Sequence, residues 1–99
     1  MKKDFTFIVY AENSFGILNR MINAFNRRRI RIRTLIASED EQNPHTGSAG
    51  FILYTTEEMM RKVKPQIEKF IEVDHAIVQE GTAAFEQFMQ QLSVEKEKT

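Results

Sequence analysis

Two spacings of apolar residues alternate along the chain, and each change of spacing predicts a new element. Residues 5–10 are rich in aromatic and β-branched types, which are typical of a buried strand. Residues 15–28 place apolar side chains three and four positions apart, so they predict an amphipathic helix. Asn13 and Ser14 precede that helix and have side chains suited to N-capping. The predicted buried stripe of the helix consists of Ile17, Leu18, Met21, Ile22, Ala24 and Phe25.

The next segment returns to strand spacing. In residues 30–38, three isoleucines and Thr34 alternate with Arg31, Arg33, Leu35 and Ala37, which predicts a strand with one apolar face. That face is predicted to carry Ile30, Ile32, Thr34 and Ile36. Residues 39–48 contain acids, Asn-Pro and Thr-Gly, so they predict an exposed loop. Residues 50–56 predict a third strand, and the strand–loop–strand order indicates a hairpin.

A second helix, a fourth strand and a helical tail follow. Glu57 and Glu58 favour a helix start, because carboxylates stabilise the positive end of the helix dipole. Pro65 lies inside this helix and is expected to bend it or to remove a hydrogen bond. The predicted buried stripe is Met60, Val63, Ile67, Phe70 and Ile71. Residues 73–79 predict a strand, and after Gly81 a helix is predicted with an apolar side made of Phe85, Phe88, Met89 and Leu92.

The predicted order β-α-β-β-α-β indicates an α+β domain with a four-stranded antiparallel sheet and two helices on one face. We assign this domain to residues 1–81 and a short C-terminal helical tail to residues 82–99. The opposite face of the sheet has to be covered if it is apolar, either by the tail or by another subunit. The residues predicted for that face are Ile8, Tyr10, Leu35 and Ile52.

Composition limits the possible functions. Ninety-nine residues with 41% hydrophobic content are enough for one core. The chain has no cysteine, which excludes disulfides, thiolate zinc sites and a cysteine nucleophile. No apolar run approaches the roughly 18 residues of a membrane span, and the first residues lack the long apolar run of a signal peptide. We therefore expect a cytoplasmic protein without a membrane partner.

Opposite charges are separated along the sequence although the net charge is zero. Residues 1–38 contain eight Lys/Arg and two acids, a net charge of +6, whereas residues 39–99 contain six and twelve, a net charge of −6. The basic part includes a cluster made of Arg27, Arg28, Arg29, Arg31 and Arg33. The roles open to this cluster are a solvated helix end, ion pairing with the acids of residues 39–41, contact with a partner subunit, or phosphate binding.

RNA binding is an alternative because RNA-recognition motifs share the predicted element order. Those modules stack bases on aromatic residues of the third strand, in a pattern that ends Gly/Ala-Phe-Val-x-Phe/Tyr. Residues 50–54, Gly-Phe-Ile-Leu-Tyr, match this half of the pattern. Ser48 and Ala49 stand where the pattern has its basic residue and first aromatic residue, so nucleic acid is not the partner we expect.

Few residues have a pattern that indicates catalysis or metal binding. His45 and His75 are isolated, with no second ligand at metal-binding spacing. Ser14 has no His or Lys placed by the sequence to activate it as a nucleophile. We therefore expect no catalytic residue, no metal site and no cofactor in this chain.

One segment resembles a known family. The run from Glu12 to Arg20, Glu-Asn-Ser-Phe-Gly-Ile-Leu-Asn-Arg, resembles the segment that follows the first strand of ACT domains. More narrowly, it resembles the small regulatory subunit of acetohydroxyacid (acetolactate) synthase, whose pattern is Glu-Asn-x-x-Gly-x-Leu-x-Arg. The matching residues are Glu12, Asn13, Gly16, Leu18 and Arg20. The likeness covers residues 5–78 and implies the ferredoxin-like ACT fold.

The resemblance implies a non-catalytic subunit that binds valine or a related branched-chain amino acid. In that family, ACT domains pair side by side in a homodimer or higher homo-oligomer, and the ligand lies between the strand–helix loop of one copy and a strand of the other. The implied ligand-binding residues are Asn13, Ser14, Phe15, Gly16, Ile17, Leu18 and Arg31. The catalytic subunit, which holds thiamine diphosphate, magnesium and FAD, is a separate chain and the implied partner.

The chemistry of the loop agrees with this implication. A helix N-terminus presents free N–H groups and about half a positive charge to a carboxylate, and Gly16 has no Cβ to keep a ligand from the backbone. Two positions depart from the family, because Arg29 replaces a glycine that ends the first helix and Arg31 replaces an asparagine that contributes to effector binding.

The predicted function is therefore regulation of acetohydroxyacid synthase by a branched-chain amino acid. A free-standing ACT amino-acid sensor without a synthase partner is the alternative. The second domain that is common in the family is not found in these 99 residues, so we expect a short form or a fragment.

Overall fold

A computed structural model describes the backbone of residues 1–97 and the side chains of residues 1–92. The elements are β1 (Lys3–Glu12), α1 (Ile17–Arg27), β2 (Arg31–Glu39), β3 (Thr46–Thr55), α2 (Glu57–Glu68), β4 (Val73–Glu80) and α3 (Ala83–Glu97). The strands form one sheet in the order β2-β3-β1-β4, and each neighbouring pair is antiparallel. The predicted α+β, ferredoxin-like architecture is confirmed. Within residues 1–97, no helix is both long enough and apolar enough to cross a membrane.

The core lies between the sheet and the pair α1 and α2. At its centre, Phe25 of α1 meets Phe7 of β1 and Phe51 of β3 edge-on, with ring centroids 5.8 and 4.9 Å apart. Edge-to-face contacts of this kind add about 0.5–1.5 kcal/mol to the area that the rings bury. Val63 and Ile67 of α2 are also fully buried, as their spacing predicts. These contacts hold both helices on one face of the sheet.

Three predicted boundaries differ from the observed ones. The helix α1 begins at Ile17 rather than at residue 15, because residues 15–16 form a turn. The strand β3 begins at Thr46, so the predicted loop 39–48 is shortened to residues 40–45 by pairing with β2. The helix α2 continues through Pro65 and ends at Glu68, which leaves the predicted core residue Ile71 in the following turn, 93% exposed.

The strand β2 does not have the single apolar face that its alternation predicts. Its register against β3 shifts between Ile32 and Thr34, so the residues on either side of the shift change faces. Leu35 lies opposite Phe51 and therefore shares the face covered by α1 and α2, where it is 37% exposed at the sheet edge. The prediction that Leu35 belongs to the opposite face with Ile8 is wrong for this reason.

The helix α3 covers the other face of the sheet. Phe85 and Phe88 are buried against β1 and β3, and Ile8 of β1 lies beneath them with 6% exposure. The predicted apolar side of the tail is confirmed at these two phenylalanines, whereas Met89 is 44% exposed. The side chain of Leu92 is half-buried. The predicted tail extends to Thr99, and residues 98–99 lie outside the described part of the chain.

A glycine and a buried threonine make the docking of α3 possible. The Thr6 hydroxyl donates a hydrogen bond of 2.8 Å to the Gly81 carbonyl, where the chain turns from β4 into α3. Gly50 lies opposite Ile8 in the sheet, and a Cβ at Gly50 would lie 2.7 Å from two ring atoms of Phe88. The glycine is therefore required by the close approach of the helix.

We expect Gly50→Ala to lower the free energy of unfolding by about 1–3 kcal/mol, the usual range for overpacking. In a Phe88→Ala background the same substitution should cost much less, because the ring that it meets is gone. Chemical denaturation of the four proteins of this double-mutant cycle measures the coupling. Equal costs in both backgrounds would contradict the close packing of α3 on Gly50.

Candidate ligand-binding site

Hydrogen bonds join the connection between β1 and α1 to the hairpin of β2 and β3. The backbone N–H of Asn13 donates to the His45 carbonyl at 2.8 Å. The side-chain amide of Asn13 donates to Glu39 Oε2 at 2.8 Å and to the Pro44 carbonyl at 3.1 Å. These three bonds fix the backbone of residues 13–16. We call residues 13–18 the loop site.

The first turn of α1 has no side-chain cap. Gly16 is the N-cap residue with φ of 84°, and no side chain accepts a hydrogen bond from the helix N-terminus. The prediction that Asn13 and Ser14 cap this helix is wrong, because the Asn13 amide is directed to Glu39 and Pro44 instead. The left-handed backbone is the reason for glycine here, since a Cβ at Gly16 would meet nothing within 4 Å. The free N–H groups and the dipole leave a partial positive charge at this point.

A cavity of about 440 Å³ opens beside this helix start. Its walls come from the loop site, from the last part of β1 and from the adjoining ends of β2 and β3. The apolar part of the wall includes Val9, Met21, Ala37 and Ala49. The structure thus brings together around one cavity six of the seven residues predicted to bind a ligand, which are Asn13, Ser14, Phe15, Gly16, Ile17 and Leu18.

The cavity has both negatively charged residues and a partial positive charge. Glu12 and Glu39 are lining residues that carry negative charge, and among the described residues no Lys or Arg lines the cavity. Opposite them stands the positive end of α1, whose N–H groups can bind an anion. The Ser14 hydroxyl is buried and has no hydrogen-bond partner, so it is free to donate to or accept from a ligand. A molecule with a carboxylate and a nearby ammonium group matches this arrangement.

Arg31, the seventh predicted residue, is not part of this cavity. It is the first residue of β2, whereas Glu39 at the cavity is the last. Eight residue steps at about 3.3 Å each separate the two by about 26 Å along the strand. Within one chain, Arg31 therefore does not reach the loop site.

An ion pair that no sequence pattern predicts lies behind the loop site and positions α1. The Arg20 guanidinium binds the Glu72 carboxylate and lies over the Phe70 ring, 5.4 Å from its centroid. The Glu72 carbonyl also accepts a 2.8 Å hydrogen bond from the Glu12 N–H. The hydrogen bonds from Arg20 and from the backbone N–H of Glu72 lower the pKa of the Glu72 carboxyl. No local pattern marks Glu72, because its partner is 52 residues away.

A second and larger cavity, of about 570 Å³, lies on the α3 side of the sheet. Its wall includes Phe88, Tyr10 and His75. The rings of Tyr10 and His75 are stacked, with centroids 4.5 Å apart. Among the described residues, no helix N-terminus lines this cavity. No residue of the loop site lines it either, although the preceding residue Glu12 does. The cavity at the loop site therefore fits the sequence prediction better, although it is smaller.

The geometry contradicts base stacking on Phe51. This residue is 0% exposed and points into the core, where it contacts Phe7 and Phe25. The outer face, on which RNA-recognition motifs bind bases, is crossed by α3 at Phe85 and Phe88. The match of residues 50–54 to the RNA pattern reflects core packing.

The histidines are separate in the structure as well. His75 Nδ1 lies 2.8 Å from Asp74 Oδ2, and His45 is exposed in the hairpin loop. Among the residues that the structure describes, no three His, Cys, Asp or Glu side chains come close enough together to hold a metal ion.

Comparison with solved structures identifies the fold. The ACT domain of a GTP pyrophosphokinase from Chlorobium tepidum matches with a TM-score of 0.68 at 10% identity, over 80% of this chain and 100% of that one. The small subunit of acetolactate synthase from Thermotoga maritima matches with a TM-score of 0.66 at 18% identity, over 77% of this chain and 47% of that one. The C-terminal domain of the MgtC protein from Mycobacterium tuberculosis matches with a TM-score of 0.69 at 9% identity, over 83% of this chain and 90% of that one.

These likenesses show the fold of the chain. The chain has the ACT-domain fold, and it is similar in structure to the acetolactate synthase small subunit over less than half the length of that subunit. No family profile matches the sequence, and no curated protein sequence is significantly similar to it.

We expect Arg20→Gln to raise the pKa of Glu72 toward its usual value of 4.5, because the guanidinium that stabilises the carboxylate is removed. In the unsubstituted protein the pKa of Glu72 is lower in the folded than in the unfolded state. The pair of Arg20 and Glu72 therefore stabilises the fold fully above pH 4.5. That contribution is lost as the pH falls through the folded pKa. Side-chain carboxyl chemical shifts of Glu72 during an acid titration measure the change, and an unaltered Glu72 titration in Arg20→Gln would refute it.

Proposed function

We propose that this chain is a regulatory domain that binds an α-amino acid at the loop site. The observation that supports the proposal most is the uncapped start of α1, which opens into a cavity that also holds two carboxylates. The ligand carboxylate binds the N–H groups at the helix start, and its ammonium group faces Glu12 and Glu39. Both charges of the zwitterion are then balanced.

The apolar wall of the cavity favours a branched-chain amino acid such as valine. Val9, Ile17 and Met21 are buried residues that line the cavity and present hydrocarbon to a ligand side chain. Selectivity among valine, leucine and isoleucine is limited by this chemistry, because one methylene in an apolar pocket is worth about 1–3 kcal/mol.

The partner that we propose is the catalytic subunit of acetohydroxyacid synthase. The segment Glu12 to Arg20 and the structural likeness to the Thermotoga maritima small subunit support this choice. In this proposal the chain is non-catalytic and the cofactors belong to the separate catalytic chain. The amino acid changes activity by favouring the arrangement of the complex to which it binds more tightly.

A second copy of the chain is part of the proposed site. Arg31 lies at the far end of β2 from the loop site, so only another copy brings an Arg31 side chain near the cavity. We propose that the domain acts as a homodimer or a higher homo-oligomer, with the ligand between the loop site of one copy and the β2 strand of the next.

A free-standing amino-acid sensor remains the second candidate. The matching structures include an ACT domain of a GTP pyrophosphokinase and the C-terminal domain of an MgtC protein. The fold therefore occurs as a domain of proteins other than the synthase subunit, which supports this second candidate.

Calorimetric titration with valine, leucine and isoleucine tests the loop site. Gly16→Asp should weaken binding by about tenfold or more, because the new carboxylate faces the carboxylate of the ligand. Gly16→Asn is the matched control, since it has the same size and tolerates the left-handed backbone without adding charge. Equal affinities for Gly16→Asp and Gly16→Asn, or no binding of any of the three amino acids to the unsubstituted chain, would exclude the proposed site.

Co-expression with an acetohydroxyacid synthase catalytic subunit distinguishes the two candidates. Regulation requires a stable complex whose activity falls when the amino acid is added, and Gly16→Asp should bind the subunit but lose that response. Amino-acid binding without complex formation would support the free-standing sensor.

A further inference from the structure

The larger cavity, of about 570 Å³ on the α3 side of the sheet, has no role in the proposed function. Tyr10 of β1 and His75 of β4 lie opposite each other in the sheet and both line it. Phe88 and Leu92 of α3 add apolar side chains to the wall. We call this cleft between α3 and the end of the sheet the outer cavity.

The charge around the outer cavity has one sign. Among the described residues no Lys or Arg lines it, whereas five lining residues carry negative charge, which are Glu12, Glu39, Asp40, Glu72 and Asp74. Glu72 pairs with Arg20 and Asp74 lies beside His75, and no ion pair among the described side chains includes the other three. Like charges around one cleft repel each other, so a bound cation lowers their electrostatic energy.

One carboxylate of this wall also has an acceptor without a donor. Glu72 Oε2 accepts a hydrogen bond from Arg20, whereas Glu72 Oε1 is buried and has no hydrogen-bond partner among the described residues. An ionised carboxyl can only accept hydrogen bonds, and a buried acceptor without a partner is unfavourable. A donor group on a bound molecule would supply the missing bond.

The negative residues are spread across the sheet rather than gathered at one point. Glu39, Gly47, Ala11 and Val73 form one row across the four strands, and Asp74 follows Val73. Glu39 and Asp74 are therefore three strand spacings of about 4.8 Å, or about 14 Å, apart. No three acidic or histidine side chains among the described residues come close enough together to hold a metal ion. This distribution suits an extended cation with several charges.

The aromatic part of the wall suits the hydrocarbon of such a cation. The rings of Tyr10 and His75 stack with centroids 4.5 Å apart, and Phe88 is a third aromatic lining residue. Methylene groups pack on aromatic rings, and an ammonium group is attracted to the face of a tyrosine or phenylalanine ring. The cavity thus combines negative charge at its two sides with apolar surface between them.

We propose that the outer cavity binds a linear aliphatic polyamine. Its ammonium groups lie beside the negative residues, and its methylene chain packs along Tyr10, Phe88 and Leu92. An α-amino acid is less suited to this cavity, because its carboxylate would meet like charge without a basic side chain or a helix N-terminus to balance it. Polyamine binding here does not depend on amino-acid binding at the loop site.

Calorimetric titration in the absence of any amino acid tests the outer cavity, with spermidine, 1,4-diaminobutane and 1-aminobutane as probes. Affinity should fall in that order, and 1-aminobutane should bind at least about tenfold more weakly than spermidine, because each lost ammonium group removes an ionic contact. Spermidine binding should also weaken when salt is raised from about 50 to about 500 mM. Equal affinities for the three amines, no spermidine binding at low salt, or full displacement of spermidine by an equal concentration of Mg²⁺ would overturn the proposal.

Paired substitutions locate the binding. Asp40→Asn with Asp74→Asn keeps the size of both side chains, removes two charges and changes no residue that lines the cavity at the loop site. This variant should bind spermidine at least about tenfold more weakly. The matched control, Glu57→Gln with Glu58→Gln on α2, changes the net charge by the same amount away from the outer cavity and should bind as the unsubstituted chain does. An equal loss in both variants would indicate diffuse attraction to the whole domain and refute the site.

Tyr10 separates the aromatic contribution from the charge. Tyr10→Leu keeps an apolar side chain but removes the ring, so spermidine affinity should fall by about threefold or more. Tyr10→Phe keeps the ring and should bind as well as the unsubstituted chain. Unchanged affinity in Tyr10→Leu would contradict packing of the polyamine on this wall. Failure of spermidine to bind leaves the loop site unaffected, because that site is tested with amino acids.

Discussion

The packing of Phe25 against Phe7 and Phe51 holds α1 across the two central strands of the sheet. All three rings are fully buried, and removing a buried phenylalanine side chain typically costs about 3–5 kcal/mol. Because α1 is a continuous helix, the packing of Phe25 on β1 and β3 also determines the position of its first turn. The cavity at the loop site exists at the place where that turn passes over the ends of β1, β2 and β3.

The loop site combines a free helix start with a firmly held approach to it. A capping side chain would satisfy the first N–H groups of α1 and stabilise the domain by about 1 kcal/mol. Asn13 is near enough in sequence to do this, yet its amide bonds to Glu39 and Pro44. Among the described residues no side chain binds the N–H groups of the first turn, while the loop keeps its shape through bonds to the hairpin.

The position of α3 decides which surfaces remain for association. The helix covers the centre of the outer face through Phe85, Phe88 and the close contact at Gly50. Stacking of two sheets face to face is blocked there, so the open edges are the parts of the sheet that another chain can extend.

Apolar spacing is enough to predict the type and order of the elements, because it is a local property of each segment. The stripe of α1, the pairing of β2 with β3 as a hairpin, and burial of Phe85 and Phe88 in the tail all follow from it. Six residues of the candidate site could be predicted too, because they are consecutive in the chain and belong to one recognisable segment. What this cavity binds stays a prediction.

Features that depend on residues far apart in sequence could not be predicted in this way and are seen only in the folded chain. The shift at Ile32 and Thr34 changes the face of Leu35, and it arises from pairing with β3 rather than from the composition of β2. The bonds from Asn13 to Glu39, from Arg20 to Glu72 and from Thr6 to Gly81 span 26, 52 and 75 residues. No local pattern encodes such contacts, since each partner becomes available only when the sheet has brought its strands together.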